Sequence, residues 1–169
     1  MEAREPHKGG LNMGKRRHEA LQPLSRHHHY ALVVAMHLTR QEQPTEALLR
    51  ELRQFWEQGG QAHFREEEDV LLPAYAKYGS LDRGEIAQML LDHVKIRSLV
   101  SRALEDGDPS VLVELGTILR AHVHLEEQVI FPLIEETLQE PDLTRLAPFF
   151  EEHRASSPYA HPDEPTARS

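Results

Sequence analysis

The sequence predicts an all-α protein, an antiparallel up-down-up-down four-helix bundle with a short extra C-terminal helix. Three observations predict it. Apolar residues recur every three or four positions and few segments alternate as strands do. The breaks between the long periodic stretches are brief and built from helix-end residues. With 169 residues the chain has room for one sizeable core and too little for two. Short connections between long helices make neighbours antiparallel. The bundle domain is expected over 18–154. Residues 1–17, with Gly9, Gly10 and Gly14, and 155–169, with Pro158, Pro162 and Pro165, lack the period and are expected to be disordered tails.

The first helix is expected from about Pro23 to Arg40. A second starts near Pro44, suited to a first turn, and runs to about Tyr78, with Gly79 placed to end it. A third follows Asp82, where Asp82 and Glu85 have the spacing of a capping box, and ends near Gly107. The fourth has Asp108 as cap and Pro109 in its first turn, and reaches about Leu138. A shorter apolar piece, Leu143 to His153, is placed across one end. Local kinks are expected at Gly59-Gly60, Pro73 and Pro132.

Composition narrows the function. The formal charge is -9, from 19 basic and 28 acidic residues that are interspersed, which disfavours nucleic acid as a partner. Cysteine is absent, which excludes disulfides, thiolate metal sites, iron–sulfur clusters and cysteine nucleophiles, so any metal must sit on nitrogen and oxygen. The N-terminal MEAREPHKGG lacks the apolar run of a signal peptide, and no stretch approaches the roughly 20 apolar residues of a membrane span. A cytoplasmic protein without membrane contact is therefore expected; its oligomeric state is left open.

The 12 histidines carry the chemistry. HFREEEDVLLP, residues 63–73, and HVHLEEQVIFP, residues 122–132, align without a gap as H-x-x-x-E-E-x-V-x-x-P. Each places a His and a Glu one turn, about 6 Å, apart on one helix face. That face is the apolar one. Leu48, Leu52, Phe55 and Gly59 continue through His63 and Glu67 to Val70 and Ala74; Leu115 and Ile118 continue through His122 and Glu126 to Val129 and Leu133. The third helix gives Ile86, Met89 or Leu90, His93, Ile96 and Val100, and the first gives Leu21, Leu24, His28, Leu32 or Ala31, Ala35 and Leu38. Depth agrees as well: His93 lies 14 residues before Gly107 and His122 lies 14 after Asp108, so antiparallel helices bring them level.

Six residues thus converge: His28, His63, Glu67, His93, His122 and Glu126. Burying two carboxylates together without a cation is very costly, because each disfavours ionisation of the other. Two divalent ions with a bridging oxide or hydroxide balance them. Mixed nitrogen and oxygen donors suit iron or manganese, and zinc can substitute. Alternatives stay open at two places: Glu127 rivals Glu126, and a one-residue slip of the stripe promotes His27 or His29 over His28. Glu66, Glu68 and, unless it replaces Glu126, Glu127 are expected to be solvated, His124 to face away, and His18, His37, His153 and His161 to lie on the surface. Neither the Glu-x-x-His pair of ferritin-like bundles nor the zinc-protease H-E-x-x-H occurs at these histidines.

SRHHHYAL, HFREEEDVLLP, the DH of DHVKIR and HVHLEEQVIFP together resemble the hemerythrin-like, or HHE cation-binding, family from about Leu21 to Leu138. The resemblance implies an antiparallel four-helix bundle and a non-haem di-iron centre with both carboxylates bridging. It also implies chemistry with a small diatomic ligand, oxygen or nitric oxide, or with peroxide. Oxygen-carrying members have a second His on the third helix where this chain has Arg97, and an Asp where Glu127 stands. The set of four His and two Glu is more similar to the members that repair damaged iron centres. The expected function is binding or sensing of oxygen, nitric oxide or peroxide, or iron handling under stress. The alternatives are a di-iron oxidoreductase that consumes peroxide or nitric oxide and a metal-free helical interaction module.

Overall fold

The computed structural model describes residues 16–150, and every regular element among them is helical. The expected tails lie outside the described residues apart from Arg16 and Arg17. A 3-10 turn, Glu19–Leu21, leads into α1, Gln22–Arg40; the His18 side chain accepts from the Ala20 N–H to cap it. The second stretch is α2, Thr45–Phe55, then a wide π turn, Trp56–Gly60, α3, Gln61–Glu66, a second π turn, Glu67–Leu71, and α4, Leu72–Tyr75. Next come α5, Gly84–Leu104, a 3-10 turn at Pro109–Val111, α6, Leu112–Leu125, a π turn at Glu126–Ile130, α7, Phe131–Thr137, and α8, Glu140–Phe150.

Two helix ends differ in chemistry from expectation. The capping box of Asp82 and Glu85 does not form: Arg83, extended and without a side-chain acceptor, precedes the first residue of α5 and pairs with Glu85 at 3.6 Å. That helix also stops at Leu104, and Gly107, at φ +67°, turns the chain to Asp108. Asp108 does cap the next stretch, its Oδ1 accepting from the Ser110 N–H at 3.0 Å.

The expected kinks are π turns, and proline explains two of them. Pro73 and Pro132 each lack an N–H and would press on the carbonyl four residues back. The turn before each widens, so that the Leu72 N–H bonds the Glu67 carbonyl and the Phe131 N–H bonds the Glu126 carbonyl, five residues back in each case. One extra residue in the turn advances the buried face. Upstream of it the expected stripes hold, with Ile118 half-buried; downstream, Leu71 and Tyr75 are buried where Val70 and Ala74 were expected, and Ile130 and Ile134 where Val129 and Leu133 were.

Apolar packing divides into two clusters. One gathers Val34 and Leu38, Leu52 and Phe55, Ile96 and Val100, and Leu115 and Leu119; the other gathers Leu21 and Leu24, Leu71 and Tyr75, Ile86 and Met89, and Ile130 and Ile134. Along the chain α1 and α5 run from the second cluster to the first, and the stretches 45–75 and 109–137 run from the first to the second. Each crosses between clusters at its own polar residue or pair: His28, His63 with Glu67, His93, and His122 with Glu126. Helices α1 and α6 pack tightly at Gly116, where an added Cβ would lie 2.7 Å from the Ala35 carbonyl oxygen. No helix among the described residues is long and apolar enough to cross a membrane.

Candidate metal centre

All six converging side chains are buried, none more than 4% exposed, in the layer between the two apolar clusters. Helix α1 brings His28, α3 brings His63, α5 brings His93 and α6 brings His122. Glu67 and Glu126 are the first residues of the second and third π turns. The alternatives left open in the sequence lie elsewhere. His29 and His124 are exposed, and His27 is half-buried with its ring stacked on Phe55 and His63. Glu126, not Glu127, points among the imidazoles.

The donors form two sets of four that share both carboxylates: His28, His63, Glu67 and Glu126, and His93, His122, Glu67 and Glu126. Within each set the ligating atoms lie within 4.8 Å of one another. The sharing is divided oxygen by oxygen. Glu67 Oε1 is 2.9 Å from His63 Nε2 and 3.8 Å from His28 Nε2, while its Oε2 is 3.2 Å from His93 Nε2. Glu126 Oε2 is 2.8 Å from His28 Nε2, while its Oε1 is 3.0 Å from His122 Nε2 and 3.4 Å from His93 Nε2.

A cation fits these atoms better than they fit each other. Both oxygens of Glu67, Oε2 of Glu126 and both ring nitrogens of His122 are fully buried without a hydrogen-bond partner of good geometry. Orphaned buried acceptors of this kind are rare and costly. The Nε2 atoms of His28 and His63 face each other at 2.9 Å, close enough for one to donate to the other or for both to hold one positive ion.

Three further carboxylates stand behind the imidazoles. Glu127 Oε1 accepts from His28 Nδ1–H at 2.6 Å, and Glu68 Oε1 accepts from His93 Nδ1–H at 2.7 Å. Asp92 Oδ2 is 3.7 Å from His122 Nδ1. Glu68, expected to be solvated, is therefore engaged with His93 and Arg97, and Glu127 contributes behind a histidine rather than as a rival to Glu126. The doubled glutamate of each repeat and the aspartate directly before His93 were the available signals. Surface histidines also pair with acids: His18 Nε2 with Glu140 at 3.0 Å and His37 Nδ1 with Glu51 at 2.8 Å. His153 and His161 lie outside the described residues.

The buried carboxylates and imidazoles shift one another's affinity for protons. Burial alone would lower the His28 imidazole, but Glu126 and Glu127 outweigh it and raise its pKa to about 9. His93 is likewise lowered by burial and raised more by Glu126 and Glu67, to about 9. His122 rises to about 10 against burial, through Glu126 and Asp92. Burial pushes the carboxyls up, yet the histidines win: Glu67 is lowered, Glu126 lies well below the usual range, and Glu127 is held at about 2.

An all-helical frame with two buried His and Glu sets defines a metal-binding helical protein, and its mixed nitrogen and oxygen donors are compatible with iron. The hemerythrin HHE cation binding domain model matches residues 14–134, and the chain belongs to that family. Neither the curated proteins nor the solved structures that were compared gave a match.

Proposed function

We propose that this chain is a non-haem di-iron protein that binds or senses oxygen, nitric oxide or peroxide. The observation that carries the reading is the division of Glu67 and Glu126, each presenting one oxygen to each histidine pair. Two imidazoles and two carboxylate oxygens per ion make a four-donor set, and iron, which commonly takes five or six ligands, retains room for an external one. Bound iron supplies reversible electron exchange with such a ligand. The chain's own residues orient the donors, exclude bulk water and balance charge. The alternation of the helices between the two apolar clusters supports an antiparallel up-down-up-down arrangement, with the domain spanning 18–154.

A small cavity lined in part by His27, His28, Phe55, His63 and His122 opens beside the histidines of both sets. Its size, about one water-sized molecule, favours a ligand of two or three atoms. The four-His two-Glu set, with Arg97 where an oxygen carrier has a fifth His, favours a role nearer to iron-centre repair than to oxygen carriage. Metal analysis with a visible spectrum of anaerobically purified protein, before and after air, tests the reading. Two iron ions per chain and a spectrum that changes on oxidation are expected; a metal-free protein after expression with iron would overturn it. Stopped-flow mixing of reduced protein with oxygen separates sensing from carriage, since a long-lived oxygen adduct argues for a carrier. Steady-state turnover with a reductant would instead mark the oxidoreductase alternative.

A further inference from the structure

Behind each histidine pair lies a closed bracket of four side chains. In the first, Arg17 Nη2 binds Glu127 Oε2 at 3.0 Å, Glu127 accepts from His28 Nδ1, Phe131 stacks on His28 with ring centroids 5.2 Å apart, and the Arg17 guanidinium sits 5.3 Å over the Phe131 ring. In the second, Arg97 donates to both oxygens of Glu68 at 2.9 and 3.0 Å, and Glu68 accepts from His93 Nδ1. Phe64 stacks on His93 at 3.9 Å, and Arg97 sits 5.5 Å over Phe64.

The glutamates occupy equivalent places in the internal repeat, but the other members do not. Arg17 precedes α1 while Arg97 is within α5; Phe64 follows the first repeat histidine directly, whereas Phe131 stands nine residues after the second. Inheritance of a duplicated sequence thus does not account for the likeness. A shared requirement at the two histidines does.

Resting on the di-iron reading, we propose that Glu127 and Glu68 are positioning residues, each tensioned by its arginine, that fix Nε2 of His28 and His93 toward the metal positions and set how strongly those imidazoles donate charge. An ionised carboxylate can only accept, so it assigns the proton to Nδ1 and frees the Nε2 lone pair. The same anion makes the imidazole a stronger donor. The arginine moderates that effect by drawing on the carboxylate from the other side, and its planar fork holds the carboxylate in one orientation.

Glu68→Gln and Glu127→Gln keep size and shape and remove the charge. Each is expected to weaken iron binding by about 10–100-fold in chelator competition and to move the midpoint potential of bound iron to more positive values, with helical content unchanged. Arg97→Gln, which leaves the carboxylate and relieves its pull toward the surface, is expected to move the potential the opposite way. Loosening of the fold would not produce opposite signs. Glu57→Gln, an exposed residue paired with Arg53, serves as the unaffected control. Wild-type affinity and potential in both glutamine variants, or shifts of one sign in Glu68→Gln and Arg97→Gln, would overturn the proposal. Failure of the wild-type protein to take up iron would instead remove the di-iron reading beneath it.

Discussion

Replacing Glu67 by alanine should damage both metal positions, whereas replacing His63 by alanine should damage one. Glu67 places Oε1 beside His63 and His28 and Oε2 beside His93, so its loss removes one of four protein donors from each set. His63 belongs to the first set alone. A four-ligand structural zinc site supplies about 10–16 kcal/mol, and the same scale apportions roughly 3 kcal/mol to each donor here, or a factor of about 10² in affinity. Chelator competition followed by elemental analysis should then show His63→Ala releasing one ion about 100-fold more readily and keeping the other. Glu67→Ala should release both at comparably low chelator. A Glu67→Ala protein that holds both ions as tightly as wild type, or that loses only one, would refute the division of its oxygens between two ions.

Three other outcomes follow from the geometry. In metal-free protein the raised histidines contribute stability that is complete below about pH 6.5 and lost as pH climbs through 9 to 10; the depressed glutamates contribute stability present above about pH 4.5 and lost as pH falls. Thermal melts of the metal-free form should therefore peak between those bounds, and a melting temperature that rises from pH 6 to 10 would contradict the charge pairing. Phe64→Ala removes a buried ring that stacks on His93 and packs edge-on to His122 and Trp56, and should cost about 3–5 kcal/mol in urea unfolding; a loss below about 1 kcal/mol would show the ring to be dispensable. Gly116→Ala drives a methyl to within 2.7 Å of the Ala35 carbonyl oxygen and should destabilise by about 1–3 kcal/mol, whereas an unchanged midpoint would mean that α1 and α6 can part without cost.

The helical class and the six converging residues were legible because helical periodicity and polar interruptions of an apolar stripe are local signals. His28 could be preferred over its neighbours only by stripe position, and the structure places its ring, rather than those of His27 or His29, between Glu126 and Glu127. Where the reading failed, the cause was a feature without a local signature. The stripes shifted by one after Glu67 and Glu126 because a π turn adds a residue, although the prolines six positions later mark where it happens. Glu68 and Glu127 looked solvated because a residue adjacent to a buried one on a helix normally is. Their true partners come from elsewhere in the chain, His93 and Arg97 from α5 and His28 and Arg17 from α1 and the residues before it, and no spacing along the chain reveals a pairing across 99 or 110 residues.

The crossed ownership of the carboxylates bears on how the protein matures. The hairpin of α1 through α4 supplies both imidazoles of the first set, and α5 through α7 supply both of the second, yet each lends an oxygen to its counterpart and a glutamate that steadies a histidine of the other. Neither half owns a finished ion site. On the di-iron reading, loading is thereby tied to docking: each ion needs donors from both halves, and without ions the two glutamates at the seam are balanced by the raised histidines.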